Sequence, residues 1–172
     1  KEDIMTKSLI IYFSRADENY GVSSTTKGNT EYLAEFIKSA TGADMFKVEP
    51  AIPYAKDYET CTVEAKERIQ THNAPIAKPV PAIAPYETIY IGSPVYWDLM
   101  PEELTTAIKD LDFTGKTVHL FTTHEGSGLG SIPEQLKRVC KGARFGKSLA
   151  VFGHKAADAK EVIDVWLKAD ES

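Results

Sequence analysis

Cysteine is scarce in this 172-residue chain: Cys61 and Cys140 are the only two, and they lie far apart in sequence. They form no CxxC pair and no metal-ligand spacing, which excludes a disulfide scaffold and a zinc cluster as organising features. Reduced, structural thiols in a cytoplasmic protein are the expectation. A basic excess is also missing. The formal net charge is −5, which argues against a nucleic-acid partner. No apolar run approaches the roughly 20 residues of a membrane-spanning helix, so no membrane partner is expected. Histidine is sparse, and His72, His119 and His154 have no partners at ligand spacing, so no metal is expected. Internal repeats and low-complexity tracts are absent. The first residues, Lys1-Glu2-Asp3-Ile4, lack the apolar core of a signal peptide. They are either an appended remnant ahead of Met5 or the start of a processed chain. Residues 1–6 are therefore expected to be disordered or appended, and 7–170 to form one domain, for which 42% hydrophobic content suffices.

What is present is an alternation of strand and helix patterns. The run Leu9-Ile10-Ile11-Tyr12-Phe13 is apolar without alternation, as in a strand covered on both faces. A polar loop follows, in which Asp17-Glu18-Asn19-Tyr20-Gly21 reads as a turn and Ser23-Ser24-Thr25-Thr26 as flexible. From Asn29 to Thr41 the apolar residues Leu33, Ala34, Phe36, Ile37 and Ala40 share a helix face, and Gly42 ends it. The same reading gives strands at about 44–48, 88–92, 117–122 and 148–152. It gives helices at about 58–71, 101–111, 132–140 and 157–168. Pro101 sits at the first helical position with Glu102-Glu103 behind it, where acids suit the helix dipole. Pro75, Pro79, Pro81 and Pro85 mark an extended linker. Five strands alternating with five helices imply a doubly wound α/β fold with a parallel sheet and helices on both faces.

Ligands in such sheets bind beyond the carboxyl ends of the strands. The three most unusual loops in the chain fall there, after strands one, three and four. The first runs from Ser14 to Gly28, far longer than the usual 2–6 residues. It ends at a helix start, whose unpaired N–H groups and dipole suit a phosphate, with Ser14, Asn29 and Thr30 as neutral donors. The plain alternative is that Asn29 or Thr30 merely caps the helix. The second loop sets Tyr96 and Trp97 beside the rigid Pro94, so two large aromatics could stack on a planar ring; one could equally plug the core. The third, Thr123-His124-Glu125-Gly126-Ser127-Gly128-Leu129-Gly130-Ser131, is rich in glycine and hydroxyls. Glycines allow close backbone approach. Tyr54, after Pro53, either covers a ligand or packs the next helix. A phosphate seat plus a flat pocket describes a mononucleotide, and among those a flavin.

These residues carry a family likeness. Tyr12-Phe13-Ser14-Arg15-Ala16, Glu18-Asn19-Tyr20, Gly28-Asn29-Thr30-Glu31, Pro53-Tyr54 with Asp57-Tyr58, Tyr90-Ile91-Gly92-Ser93-Pro94-Val95-Tyr96-Trp97, and Gly115-Lys116 leading to Phe121-Thr122-Thr123 stand in the order of flavodoxins. The chain resembles that family through most of its length, and more closely its bacterial members with a long insertion after the first strand. The resemblance implies a flavodoxin-like five-stranded sheet of order 2-1-3-4-5 and noncovalent FMN. It implies phosphate contacts from Ser14, Asn29 and Thr30, joined by Arg15, Ala16, Lys27 and Gly28. Ser93, Pro94, Val95, Tyr96 and Trp97 would line the flavin ring. Thr122, Thr123, His124, Glu125, Gly126, Ser127 and Gly128 would meet its pyrimidine edge and ribityl chain. Two departures stand out: the insertion interrupts the phosphate loop, and relatives commonly carry small residues where this chain has His124-Glu125. That pair either faces solvent or shifts the flavin's potential or protonation.

Rival motifs fail on spacing. Gly126-x-Gly128-x-Gly130 is not a dinucleotide fingerprint, residues 21–28 are not a P-loop, and His124-Glu125 lacks the second histidine of a zinc protease motif. A receiver-like signalling domain shares the topology but needs acids where this chain has Ser14-Arg15. The reading that remains is an FMN flavoprotein, monomeric or homodimeric, with no catalytic side chain. It acts either as an electron carrier docking on redox partner proteins, or as an oxidoreductase passing electrons from NAD(P)H to a quinone-type acceptor.

Overall fold

The parity of the first strand divides the molecule into two cores. In a strand, successive side chains point to opposite faces. In β1 (Ser8–Tyr12), Leu9 and Ile11, with Phe13 just beyond, enter one buried cluster. Ile10 and Tyr12 enter the other. From Leu9 onward β1 is thus apolar and buried, because it is central and covered twice. The computed structural model describes residues 7–19, 22–25 and 27–169, at 17–19 and 22–25 the backbone alone. Expectations placed on residues 1–6, 20, 21, 26 and 170 lie outside the described residues.

After β1 come β2 (Asp17–Asn19) and β3 (Val22–Thr25), an antiparallel pair with Asp17 opposite Thr25 and Asn19 opposite Val22. At 17–19 and 23–25 this is strand where a turn and a flexible stretch are expected. The segment has one apolar β-branched residue, Val22, so it lacks the pattern of a core strand, and its ladder is a backbone property. Helix α1 (Asn29–Thr41) buries Leu33, Ala34 and Ile37, and stops at Gly42, left-handed at φ 75°, whose N–H donates to Lys38 O. Then follow β4 (Asp44–Lys47), α2 (Tyr58–Thr71), β5 (Thr88–Pro94), α3 (Glu102–Ile108), β6 (Thr117–His124), α4 (Ile132–Val139), β7 (Arg144–Phe145), β8 (Leu149–Phe152), a 3₁₀ turn (Gly153–Asp158) and α5 (Lys160–Ala169).

The sheet is parallel in the order β4-β1-β5-β6, with β7 and β8 both alongside β6. This is the order 2-1-3-4-5, with the fifth strand in two pieces. Between the Val118–Phe145 and Phe121–Leu149 pairs, three residues (146–148) oppose two (119–120), so the edge strand bulges. Other corrections concern ends. α3 stops at Ile108 and Pro101 is its N-cap. Ala157 and Asp158, expected in the last helix, belong to the tighter 3₁₀ turn. β5 and β6 run two residues further than expected, so Ser93, Pro94, Thr123 and His124 sit on strands. Helices α1 and α5 cover one face, with Leu33, Ile37, Ile163 and Trp166. Helices α3 and α4 cover the other, with Leu104, Ile108, Ile132 and Leu136.

Helix α2 is tied to that second face by charge. Glu103 has no exposed side-chain surface, and its carboxylate accepts from Arg68 Nη1 at 2.6 Å and Tyr54 Oη at 2.7 Å. The Arg68 guanidinium lies 3.9 Å over the Tyr54 ring. Tyr54, Phe13 and Tyr96 form a three-way edge-on aromatic cluster with centroids about 6 Å apart. Asp57 caps α2 by accepting from Thr60 N–H. Beside Glu103, Glu102 meets His72 Nδ1 at 3.3 Å, and burial holds its carboxyl above the usual range. No helix among the described residues is long and apolar enough to cross a membrane.

Removing one partner of a buried ion pair costs about 3–5 kcal/mol, because the survivor stays buried and uncompensated. Arg68→Met is therefore expected to destabilise the fold by about that amount, read as a lower urea midpoint with an unchanged denaturant slope. A loss no larger than that of a surface substitution would mean that Glu103 needs no cation.

Candidate functional site

The ends of β1, β5 and β6 open on one cavity of about 430 Å³, within the range of small-ligand sites. Its floor and near wall come from the stretches singled out in the sequence: Arg15 after β1, Asn29 and Thr30 at the start of α1, Pro94 at the end of β5 with Val95 to Asp98 beyond it, and Thr123 and His124 at the end of β6 with Glu125 and Ser127 beyond them. The remaining wall comes from Tyr58, Cys61, Thr62 and Ala65 of α2, with Gly153 from the 3₁₀ turn. Their spacing, i, i+3, i+4 and i+7, is one stripe of a helix.

At the first loop, the N-cap of α1 is Gly28, which has no side chain to answer the helix's leading N–H groups. Asn29 and Thr30 are inside the helix, so neither is the cap. Ser14 Oγ accepts from Glu31 N–H at 3.0 Å, and Thr30 Oγ1 lies 2.8 Å from Thr123 Oγ1, joining α1 to β6. A Cβ on Gly28 would fall 2.1 Å from Ser14 Oγ and 2.6 Å from Arg15 O. Arg15 Nη2 donates to Ala55 O at 2.7 Å and Lys56 O at 2.6 Å, which draws the approach to α2 toward the end of β1. Lys27 turns to Glu35 at 2.7 Å and to the Tyr32 ring, and does not line the cavity.

The second loop contains a two-residue turn, with Tyr96 and Leu99 exchanging backbone hydrogen bonds at 2.7 and 2.9 Å. Its central residues are left-handed without being glycine: Trp97 at φ 51° and Asp98 at φ 73°. Such positions cost on the order of 1–3 kcal/mol each and persist where surroundings hold them. Here they are held. Asp98 accepts from Ser131 Oγ and, through its backbone carbonyl, from Ser131 N–H. Trp97 donates Nε1–H to Thr62 O at 2.8 Å, and Lys66 lies over its ring. The indole remains 52% exposed, so its place is the cavity's rim. The Tyr96 hydroxyl is buried with no hydrogen-bond partner among the described residues, and burial pushes its phenol far above the ordinary value.

In the third loop the adjacent pair separates. His124 Nδ1 accepts from Gly126 N–H at 2.9 Å and its ring packs on Phe152. Burial lowers its pKa, and because Nδ1 accepts from Gly126, the neutral form carries its proton on Nε2. Glu125 accepts from the backbone N–H of His154 at 2.9 Å and meets that residue's Nδ1 at 2.7 Å. Neither is a free solvent-facing group. Thr122 is buried and donates to Gly128 O, and Ser93 donates to Pro94 O. Those two, with Ser14, Ala16, Gly28, Gly126 and Gly128, shape the loops without lining the cavity. Tyr54 packs and does not line it either.

The sequence reading missed the α2 wall. Its signal was an inward stripe on which Tyr58 and Thr62 place hydroxyls beside the buried Cys61 and Ala65. Burial raises the thiols, that of Cys140 to about 12, so neither is a ready thiolate nucleophile. No cluster among the described residues could hold a metal ion. The arrangement offers a guanidinium, neutral donors and a helix start at one side, and an exposed aromatic, Trp97, at another. That donor set suits a phosphorylated planar ligand.

The sequence profile of the Flavodoxin family matches residues 7–169. No curated protein matches the chain significantly. Among solved structures, a Bacteroides uniformis protein provisionally termed a flavoprotein is 26% identical with a TM-score of 0.75, covering 95% of this chain and 98% of its own. A similarly termed Bacteroides eggerthii protein is 24% identical with a TM-score of 0.76, covering 97% and 99%. A Lactobacillus acidophilus flavoprotein in complex with FMN is 21% identical with a TM-score of 0.67, covering 94% and 99%.

Gly28→Ala should force Ser14 away from the start of α1 and leave the Glu31 amide unanswered, a cost of about 1–3 kcal/mol. Hydrogen exchange at Glu31 is expected to accelerate and the melting temperature to fall. An unaltered Glu31 exchange rate would show that Ser14 does not hold that helix start.

Proposed function

The chain belongs to the flavodoxin family, and on that premise we propose that its cavity binds FMN noncovalently for electron transfer between redox partner proteins. The observation that carries this reading is the convergence of the α1 start, Arg15 and the Trp97 turn on a single cavity of mononucleotide size. Bound FMN supplies one- or two-electron chemistry, and the protein supplies position and field. Arg15, Asn29 and Thr30 hold the phosphate, favoured by the positive end of the α1 dipole. Ser14 acts one step back, by fixing that helix start through Glu31. Trp97 covers the ring from the rim, and its hydrogen bond to α2 keeps the indole in place. Thr123 and Ser127 offer hydroxyls to the polar edge and the ribityl chain. The α2 stripe excludes water from the remaining side.

The carrier reading rests on two further points. The cavity has the volume for one mononucleotide, so an electron acceptor approaches from outside. The net charge of −5 favours encounter with basic partners.

Purified protein should be yellow, or become so with added FMN. Trp97→Ala should weaken FMN affinity by about tenfold, the loss of roughly 1.4 kcal/mol of ring contact. Reductive titration should show two separate one-electron steps, with no direct reduction by NAD(P)H alone. Failure to bind FMN would overturn the proposal. Rapid reduction by NAD(P)H would replace the carrier with an oxidoreductase.

A further inference from the structure

Glu125 is held more tightly than a rim carboxylate needs to be. Its side chain is 13% exposed, and its two oxygens answer two donors of one residue, the backbone N–H and ring Nδ1 of His154. Behind it stands Gly153, where a Cβ would lie 2.7 Å from Glu125 Oε2 and 2.5 Å from Asn29 Nδ2. The turn backbone is thus wedged between the carboxylate and the amide at the head of α1. Glu125, Gly153 and Asn29 all line the cavity. Among the described residues the one ion-pair partner of Glu125 is His154, which is 48% exposed. His124 does not pair with it: its Nδ1 accepts from Gly126 N–H, and burial disfavours its charged form. A fixed anion therefore sits on the wall of a partly desolvated cavity, where its field is poorly screened.

We propose that Glu125, buttressed by His154, is a positioning residue for charge: it makes the cavity hold oxidised FMN more tightly than reduced FMN and so lowers the midpoint potential. This rests on the reading that FMN occupies the cavity. Two-electron reduction, by a partner protein or by dithionite in the test, adds two electrons to the ring. With one proton taken up, the ring gains one negative charge. The Glu125 carboxylate opposes that charge, and the His154 donors determine how strongly it is felt. His154 is the adjustable member: it is 48% exposed, its ring rests on Phe152, and Glu125 is its one ion-pair partner among the described residues.

The test is the two-electron midpoint potential of bound FMN, with dissociation constants for both redox forms, in the wild type, Glu125→Gln and His154→Gln at one pH. For Glu125→Gln the ratio of the two constants should move about tenfold toward the reduced form. That is a rise of about 30 mV, by the equivalence of a tenfold ratio and 29.6 mV for two electrons. For His154→Gln, an exposed change that leaves the backbone donor in place, the potential should move the opposite way. Equal weakening of both forms in Glu125→Gln would mean a purely structural role and overturn the inference, as would an unchanged potential. Either result leaves standing the reading that the wild-type cavity holds FMN. A wild type that binds no FMN would instead fail the functional reading itself.

Discussion

A carboxylate with no exposure, Glu103, fixes one wall of the cavity. Burying that charge opposes folding unless it is answered. It is answered twice, by the Arg68 guanidinium and the Tyr54 hydroxyl, and Arg68 is itself seated on the Tyr54 ring. The three groups come from α3, α2 and the segment leading into α2. They therefore set where α2 lies relative to the sheet. Tyr54 carries the constraint onward, because its ring meets Phe13 at the end of β1 and Tyr96 after β5. One buried charge thereby aligns two strand ends with the helix opposite them. The stripe Tyr58, Cys61, Thr62 and Ala65 faces the loops as a consequence.

The loops in turn are anchored to rigid elements. β5 and β6 extend into the site, so Pro94 and Thr123 are strand residues with laddered neighbours. The turn at Trp97 and Asp98 takes a conformation that neither residue favours. It is retained by hydrogen bonds in two directions, from the indole to α2 and from Asp98 to the head of α4. Local strain of this kind is found where a side chain must be presented at a particular place. At Gly153, between Asn29 and Glu125, close approach takes the place of strain: the absence of a Cβ lets two cavity-lining side chains meet one backbone.

Much of this was legible in the residues. The unbroken apolar run of β1 announced a strand covered twice, and its parity assigns it to both cores. Gly42 marked the end of α1, and the three odd loops fell on one rim. The rest depended on contacts that no local pattern carries. The stripe on α2 reads as an ordinary inward face until Glu103, distant in sequence, turns it toward the loops. Asn29 and Thr30 looked like caps because both are good ones, yet Gly28 takes that position and Ser14 answers the helix from across the loop. The hairpin of β2 and β3 lacks apolar alternation, and the edge-strand bulge is a matter of register with β6. Glu125 was conspicuous as a charge, but its attachment to His154 requires the sheet to bring β6 and the 3₁₀ turn together.

The proposed function requires that α2 and the three loops enclose one ligand between them. The most direct measurement is an amide chemical-shift titration of the FMN-free protein with FMN. Saturable shifts are expected at Asn29 and Thr30, at Val95 to Asp98, at Thr123 to Ser127 and, together with them, at Tyr58, Thr62 and Ala65. Shifts that spare α2, or that cluster away from this rim, would contradict it.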